Sequence, residues 1–448
     1  MSAGPGRGLF DRLGLGRPEL RAWAMYDWAN SAMVTIVITA VFPPFYGAVA
    51  AEGIATEVAQ SRYSFATALS LGIVAVLAPV LGAIADYRAV RKRLLAFFAC
   101  LGVLGSAGLF LVGPGDWLLA LVLFGIANAG AGGSIVFYDS LLPHVARQDE
   151  VDRVSTAGYA LGYLGGGLLL AVHLLVIQKP GWFGLPEGDL PVRLGFLAVA
   201  VWWLLFTLPV LRRVPEPPRQ LETDERRGQN PVKASFARLF ETLRELRGYK
   251  HAFLFLVAFL IYNDGVLTII RMAALYGQGI GIERSQMILA ILLVQFIGIP
   301  FAFLFGGLAG KVGPKPAILG ALVVYTGITF LGYFMQTALH FYLLAILVGM
   351  VQGGAQALSR SLFASMIPRH KTAEFFGFFA VGEKFAGILG PLLFGGTLLA
   401  GGESRHAILA VASFFVVGGG MLLFVNVDEG RAAARRAEGE KLGQVVSE

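Results

Sequence analysis

Cysteine is almost missing from this chain: Cys100 is the only one in 448 residues, so no intrachain disulfide braces the fold and no thiolate cluster holds a metal. Histidine is scarce too. Of the six present only His173 falls inside a long apolar run, which leaves no histidine metal set and no Ser-His-Asp constellation; Walker and dinucleotide fingerprints are also lacking. The expectation is therefore a protein that is not an enzyme, with no cofactor and no metal. Charge is the third deficit. Charged residues are 15% of the chain and hydrophobic ones 56%, the mean hydropathy is +0.69, and soluble proteins carry about 25% charged residues. A water-soluble fold is excluded on that contrast.

What the chain has instead is apolar runs near or above the roughly 18 residues that cross a bilayer. Twelve are read, over approximately 22–49, 62–85, 94–113, 117–142, 154–178, 194–211, 251–277, 285–309, 316–336, 340–366, 374–400 and 406–427. The first competes with a signal peptide, since Ala48-Val49-Ala50 has the small residues of a cleavage site. A signal core is only about 7–15 residues long, and this run contains Asp27 and Pro43-Pro44, so it reads as a retained helix with a broken outer end. Cys100, in the third run, reads as a small apolar filler.

The placement of positive charge sets orientation. Of the 36 Lys and Arg, 28 lie in the N-terminus, the C-terminus and the loops after spans 2, 4, 6, 8 and 10. Five lie in the intervening loops and three inside spans. The positive-inside rule then puts both termini and the central loop in the cytoplasm; the expected location is the plasma membrane, of bacterial inner-membrane type. The net charge of +7 is orientation and does not point to nucleic acid.

The expected organisation is a six-helix half over 1–211, a cytoplasmic linker over 212–250, a second six-helix half over 251–428 and a cytoplasmic tail over 429–448. The linker opens with Val214-Pro-Glu-Pro-Pro218 and, after Asn230-Pro231, repeats Phe236, Leu239, Phe240, Leu243 and Leu246 at helical spacing, as an amphipathic surface helix does. The halves also repeat. Gly82 to Arg91 aligns with Gly306 to Lys315, Ser140-Leu-Leu-Pro143 with Ser365-Met-Ile-Pro368, and Tyr26-Asp27 with Tyr262-Asn263-Asp264. Three landmarks in one order are what a duplication leaves.

The loop motif carried by Gly82, Asp86 and Arg91 resembles the signature joining spans 2 and 3 in the major facilitator superfamily; in the second copy Gly310 replaces the Asp. A narrower resemblance covers most of the chain. Tyr26-Asp27-Trp28-Ala29-Asn30-Ser31-Ala32, Gly158 to Gly167, Tyr262 to Gly265, Gln356 to Phe363 and Gly387 to Phe394 are similar to the "unknown major facilitator" family, which includes the fungal autophagy-related vacuolar amino-acid effluxer. Leu267 and Glu383 depart from that pattern, which has Gln and a small residue there. The resemblance implies an all-α membrane fold of twelve helices in two pseudo-symmetric halves around a central cavity, working by alternating access. It implies secondary transport of a small-molecule substrate, namely proton-coupled export of amino acids or similar zwitterions by a monomer in the lipid bilayer.

An ionisable side chain in lipid costs about 2.5–3.5 kcal/mol on insertion scales, so each asks for a reason. Asp27, Asp139, Asp264, Arg271, Arg360, Glu383 and Lys384 lie within spans. By depth Asp27, Asp139 and Arg360 share the inner third, where a first-half carboxylate pairing Arg360 makes a gate or a permanent interhelical ion pair; Arg271 lies further out. Asp264, Glu383 and Lys384 lie near the middle and suit a substrate with both charges, or a proton site, since desolvation penalises a charged carboxyl. Asn30, Tyr262 and Gln356 add neutral hydrogen-bonding groups to that candidate site. His173 reads as a packed, hydrogen-bonded histidine, and the glycines of spans 5 and 11 as close helix packing. An exporter of drugs or lipid-like amphiphiles on the same fold and a non-transporting receptor or scaffold are the alternatives. The charge split yields a test of orientation: in a chain freed of Cys100, cysteine at Glu52 should react with an impermeant maleimide on intact cells and cysteine at Gln229 should not, whereas equal labelling overturns the topology.

Overall fold

In lipid every backbone N–H and C=O must find a partner within the protein, which restricts spanning segments to helices and closed barrels. The structure, a computed structural model, describes residues 10, 15–147, 151–217, 231–368, 375, 378, 379, 382 and 385–447, and no strand occurs among them. Ten described helices are long and apolar enough to cross a membrane, and two shorter apolar stretches, Arg284–Gly298 and Leu389–Leu399, fall in the remaining two of the twelve runs read from the sequence. Span 1 covers Pro18–Ala50, and spans 2 to 6 are Thr56–Arg88, Arg91–Gly108, Trp117–Val145, Val151–Gln178 and Leu190–Arg213. Spans 7 to 10 are Lys250–Gly279, Arg284–Val312, Pro314–Tyr333 and Ala338–Ser365; Leu389–Leu399 is the described helix of span 11, and span 12 runs as Ser404–Ala410 and Ala412–Leu423.

Span 1 is not broken at its prolines, as the sequence reading expects. It widens into π-helix over Met33–Ala40 and Tyr46–Ala50 around the short helix Phe42–Phe45, with Val41 N donating to Ile36 O at 2.8 Å. Pro43 and Pro44 have no N–H to give, and the wider turn carries the chain past them without leaving a helical path.

The chain divides into two compact units. One comprises Met1–Ile54 and Val76–Val232, the other Ala55–Ala75 and Lys233–Glu448. In the first, spans 3 and 4 meet through glycine: a Cβ at Gly130 would overlap the backbone of Gly102, and one at Gly133 the Phe98 ring. Gly102 also makes room for the buried Trp203 of span 6. Glu216 accepts from Lys92 N at 3.0 Å, supplying an acceptor at the start of span 3. Cys100 is exposed on this helix rather than packed as a filler. In the second unit the early part of span 2 is held by polar contacts: Gln60 Nε2 donates to Leu275 O at 3.0 Å and Ser61 Oγ to Gly395 O at 3.1 Å.

The linker does form a helix, Pro231–Gly248, with Leu246 buried and Phe240 exposed. The tail is helical as well, over Val427–Ser447. Asn426 caps it, accepting from Glu429 N at 3.2 Å, and His251 at the foot of span 7 bonds Glu429 Oε2 at 2.8 Å. Lys315 Nζ donates to Leu423 O at 2.9 Å and Val425 O at 2.8 Å, tying the start of span 9 to the end of span 12. The glycine seam is open to test. Gly130→Ala places its methyl on backbone that no rotamer change can move, so a loss of about 1–3 kcal/mol, the range for overpacking, should appear as a lower melting temperature in detergent; an unchanged melt contradicts the close approach.

Candidate functional site

Asp264 stands midway along span 7 and is 2% exposed. What faces it is a discontinuity. Span 11 interrupts at Ala386-Gly387-Ile388 and restarts as the helix Leu389–Leu399, with Gly387 at φ +91°, a backbone state that only glycine enters at low cost. The first N–H groups of any helix lack intrahelical partners. Here Leu389 N donates to Asp264 Oδ2 at 3.0 Å and Gly390 N to Oδ1 at 2.8 Å. Pro391 sits within the first turn, where its missing N–H costs nothing. Thr268, one turn along span 7, donates to Asp264 O at 2.7 Å, and any Cβ on Gly390 would overlap the Thr268 hydroxyl. Spans 7 and 11 therefore touch through glycine, and a carboxylate meets the positive end of a helix dipole. The Thr268 hydroxyl also lies 3.4 Å from Asp264 Oδ1, so the carboxyl is held from the restart of span 11 and from its own helix.

Arg271 lies two turns beyond Asp264 on span 7 and is half-buried. Tyr262 is 2% exposed and its hydroxyl meets Ser359 Oγ at 2.6 Å. Ser359 gives its own proton to Ala355 O at 2.6 Å, so Tyr262 is the donor and joins span 7 to span 10. Gln356 and Arg360 are half-buried on span 10. Glu383 and Lys384, expected near the middle of span 11, lie outside the described residues.

The first unit has a counterpart. Asp27 is half-buried on span 1, and Tyr138 of span 4 donates its hydroxyl to Asp27 Oδ2 at 2.7 Å. Tyr138 is itself seated by Trp23, whose ring stacks on it at 4.4 Å and whose Nε1 donates to Tyr138 O at 3.2 Å. The glycines of span 5 make the floor: a Cβ at Gly158 would stand 2.5 Å from Asp27 Oδ2, at Gly162 2.5 Å from Ser31 Oγ, and at Gly166 2.6 Å from Thr35 Oγ1. Asp27, Ser31 and Thr35, four residues apart, thus run along one glycine strip, and Trp28 covers Gly165 while stacking on Trp202 at 5.4 Å. Asn30 is 5% exposed, and its Oδ1 has no hydrogen-bond donor among the described residues. Asp139, next to Tyr138, is exposed.

Of the loop motif, Arg91 Nη1 donates to His144 Nε2 at 2.6 Å. Because guanidinium only donates, His144 carries its proton on Nδ1. Gly82 has open space around it, and the Asp86 side chain lies outside the described part of its helix. His173 is buried, with Nε2 3.3 Å from Pro191 O and its ring against Gly195. Sequence reasoning missed Tyr138, Thr268 and the backbone of Leu389 and Gly390. For the last two a signal existed in Gly387, Gly390 and Pro391, the residues that stop and restart a helix.

These twelve helices, with polar groups turned inward, define a membrane transporter of the major facilitator type. Solved structures agree on the fold: a D-xylose–proton symporter aligns over 92% of this chain and 98% of its own at a TM-score of 0.64 with 16% identity, and the nucleoside transporter NupG over 90% and 99% at 0.61 with 15% identity. Residues 53–435 match the family described as "Vacuole effluxer Atg22 like". The MFS-type transporter YxiO of Bacillus subtilis (strain 168) is 38% identical over 90% of this chain and 94% of its own. Autophagy-related protein 22 of Yarrowia lipolytica is 28% identical over 84% of this chain and 77% of its own. The chain belongs to the Atg22-like family of major facilitator transporters.

The Asp27 socket makes its own prediction. Tyr138→Phe keeps the stacked ring and removes only the hydroxyl donor, and a hydrogen bond to a charged group contributes about 1.5–3 kcal/mol. A fall in thermal stability of that size in detergent is expected, and an unaltered melt would mean that Asp27 does not depend on Tyr138.

Proposed function

We propose that the protein exports amino acids or related small zwitterions across the bacterial inner membrane in exchange for protons, with both termini in the cytoplasm. The observation that carries this reading is Asp264. It is a buried carboxylate held by the backbone N–H groups of Leu389 and Gly390, in a place that suits either a substrate ammonium or a proton. The two ligands compete for the same lone pairs. Loading a proton on one side of the membrane and an ammonium on the other then links the inward fall of protons to outward movement of substrate by alternating access. The family description as an effluxer supports the direction, and the opposite charges of Asp264 and Arg271 on one span favour zwitterions over apolar drugs or lipids.

Reconstitution in liposomes with a panel of amino acids, scoring counterflow with and without a proton gradient, tests the reading. Because protonation removes the ammonium acceptor, the apparent KM should rise as the substrate-loading side is acidified. Asp264→Asn retains size but offers a single oxygen to two N–H donors and no charge, so exchange and gradient-driven transport should both be lost. If exchange survives while gradient-driven transport falls, Asp264 carries the proton alone; if both activities persist, it has neither role.

A further inference from the structure

The Asp264 carboxyl has neighbours of two chemical kinds. The N–H groups of Leu389 and Gly390, 3.0 and 2.8 Å from its oxygens, can only donate, and donors favour the ionised form. The hydroxyl of Thr268 is different. It lies 2.7 Å from the backbone carbonyl of Asp264 and 3.4 Å from Oδ1, and a hydroxyl has one proton to give. The shorter contact takes it, as is usual for a threonine that bonds the carbonyl four residues back in its helix. What the oxygen then turns towards Oδ1 is a lone pair.

Two oxygens that face each other through lone pairs repel while the carboxyl is ionised, and they make a hydrogen bond once Oδ1 carries a proton. Thr268 is confined to this place. It is fully buried, and its hydroxyl fills the space that a Cβ on Gly390 would take. The glycine that lets span 11 restart against Asp264 thus also lets the hydroxyl stand beside the carboxyl. Among the described residues Thr268 is the only side chain that reaches the carboxyl oxygens. Of the ionisable groups on and around span 7, Tyr262 is engaged with Ser359, Arg271 stands two turns further along, and Arg360 is half-buried on span 10. Tyr63 lies on span 2, whose Gln60 and Ser64 contact span 7. The helix Leu389–Leu399 carries no ionisable residue, and span 12 has them only at its start; Glu383 and Lys384 fall outside the described residues.

Resting on the proposed proton and ammonium site at Asp264, we infer that Thr268 is a positioning residue for the coupling proton: its hydroxyl accepts from the protonated Asp264 carboxyl and holds the proton there. Asp264 then loads a proton at a pH where the two backbone donors alone would keep it ionised. The site is balanced between its two cargoes. The N–H groups of the restarted helix stabilise the anion that meets an ammonium, and the Thr268 hydroxyl stabilises the acid that has given the ammonium up. A proton on Oδ1 weakens what that oxygen offers Gly390 N and adds a bond to Thr268, so the exchange of cargo is felt at the seam of spans 7 and 11.

The test titrates Asp264 in liposomes holding the full-length protein, by the infrared C=O stretch of its protonated carboxyl, assigned through its loss in Asp264→Asn. The pH dependence of KM for amino-acid counterflow is measured beside it. Thr268→Val keeps the shape of the side chain and removes the hydroxyl. One neutral hydrogen bond corresponds to about half to one pH unit, so the infrared midpoint and the rise of KM should both move to lower pH by that amount. Thr268→Ser keeps the hydroxyl and should restore the wild-type midpoint. An unmoved midpoint in a valine variant that melts and elutes like the wild type overturns the inference. So does a move to higher pH, the mark of a hydroxyl that donates to the ionised carboxyl, and so does a serine variant lowered as far as valine, the mark of packing alone. Should the valine variant not fold, Thr268→Ala replaces it, with the same direction expected. Failure of the proposed function looks different. A midpoint that follows Thr268 in a protein that exchanges no amino acid removes the proposed cargo and leaves the hydroxyl its role, whereas pH-dependent exchange with a midpoint indifferent to Thr268 removes only the inference. A wild type without any infrared band that depends on Asp264 overturns both, since the carboxyl then never takes a proton.

Discussion

The second unit is organised around a reciprocal need between one carboxylate and one interrupted helix. In a bilayer the N–H groups freed where span 11 restarts have no water to bond, and Asp264 has no water to solvate its charge. Each meets the other's deficit: Leu389 and Gly390 donate to the two carboxyl oxygens at 3.0 and 2.8 Å. Everything near the contact follows from it. Gly387 takes the positive φ that turns the chain, Gly390 leaves room for Thr268, and Pro391 occupies a turn in which a missing donor goes unnoticed. A proton or an ammonium arriving at Asp264 acts on this balance directly, since it changes what the carboxylate can offer the restarted helix.

The first unit solves the equivalent problem with different parts. By the internal repeat, span 1 corresponds to span 7 and span 5 to span 11, and in both units an aspartate stands against a glycine, Gly158 for Asp27 and Gly390 for Asp264. Span 5 is an uninterrupted helix, however, and its N–H groups at Gly158 are spent within the helix. The donor for Asp27 therefore comes from a side chain, the Tyr138 hydroxyl. That difference has a chemical consequence. A hydroxyl can donate to a carboxylate and accept from a carboxylic acid, so the Asp27–Tyr138 pair keeps a hydrogen bond whichever state Asp27 is in. At Asp264 the short contacts are to backbone N–H groups, which can only donate, and the hydroxyl of Thr268 stands farther off, 3.4 Å from Oδ1.

The rest of the fold supports these contacts by burying small polar residues among its apolar core and turning large apolar ones outward. Small polar residues such as Ser61, Ser64, Thr67, Ser134 and Thr329 are buried, while Leu104, Val122, Leu164, Val323 and Phe330 are exposed on the outside of their helices. Lipid is as apolar as leucine, so burying leucine between helices gains little; close approach and hydrogen bonding hold such helices together instead. The glycine seams of spans 3 with 4 and 1 with 5 are that close approach, and the latter explains much of the Tyr26 to Ala32 hallmark as packing. Asp27, Ser31 and Thr35 line the strip, and Trp28 closes its side.

The number of spans, the basic bias of alternate loops, the repeat and the family were all legible in the chain itself. Each depends on composition over about 20 residues or on local spacing, which hydropathy and helical periodicity report directly. So was the short list of charges in lipid, because an ionisable residue in an apolar run is conspicuous on its own. The partners of those charges were not legible. Leu389 and Gly390 contribute backbone, which has no letter in the sequence, and Tyr138 looks like any aromatic of an apolar helix until Trp23 and Gly158 are placed beside it. Span 1 shows the same limit: Pro43-Pro44 announces an interruption, but whether the helix breaks or widens is settled by the neighbours that pack around it. Sequence determined which groups must find partners in the membrane; only the tertiary structure decided which partners, because hydrogen bonds of about 3 Å join residues more than a hundred positions apart.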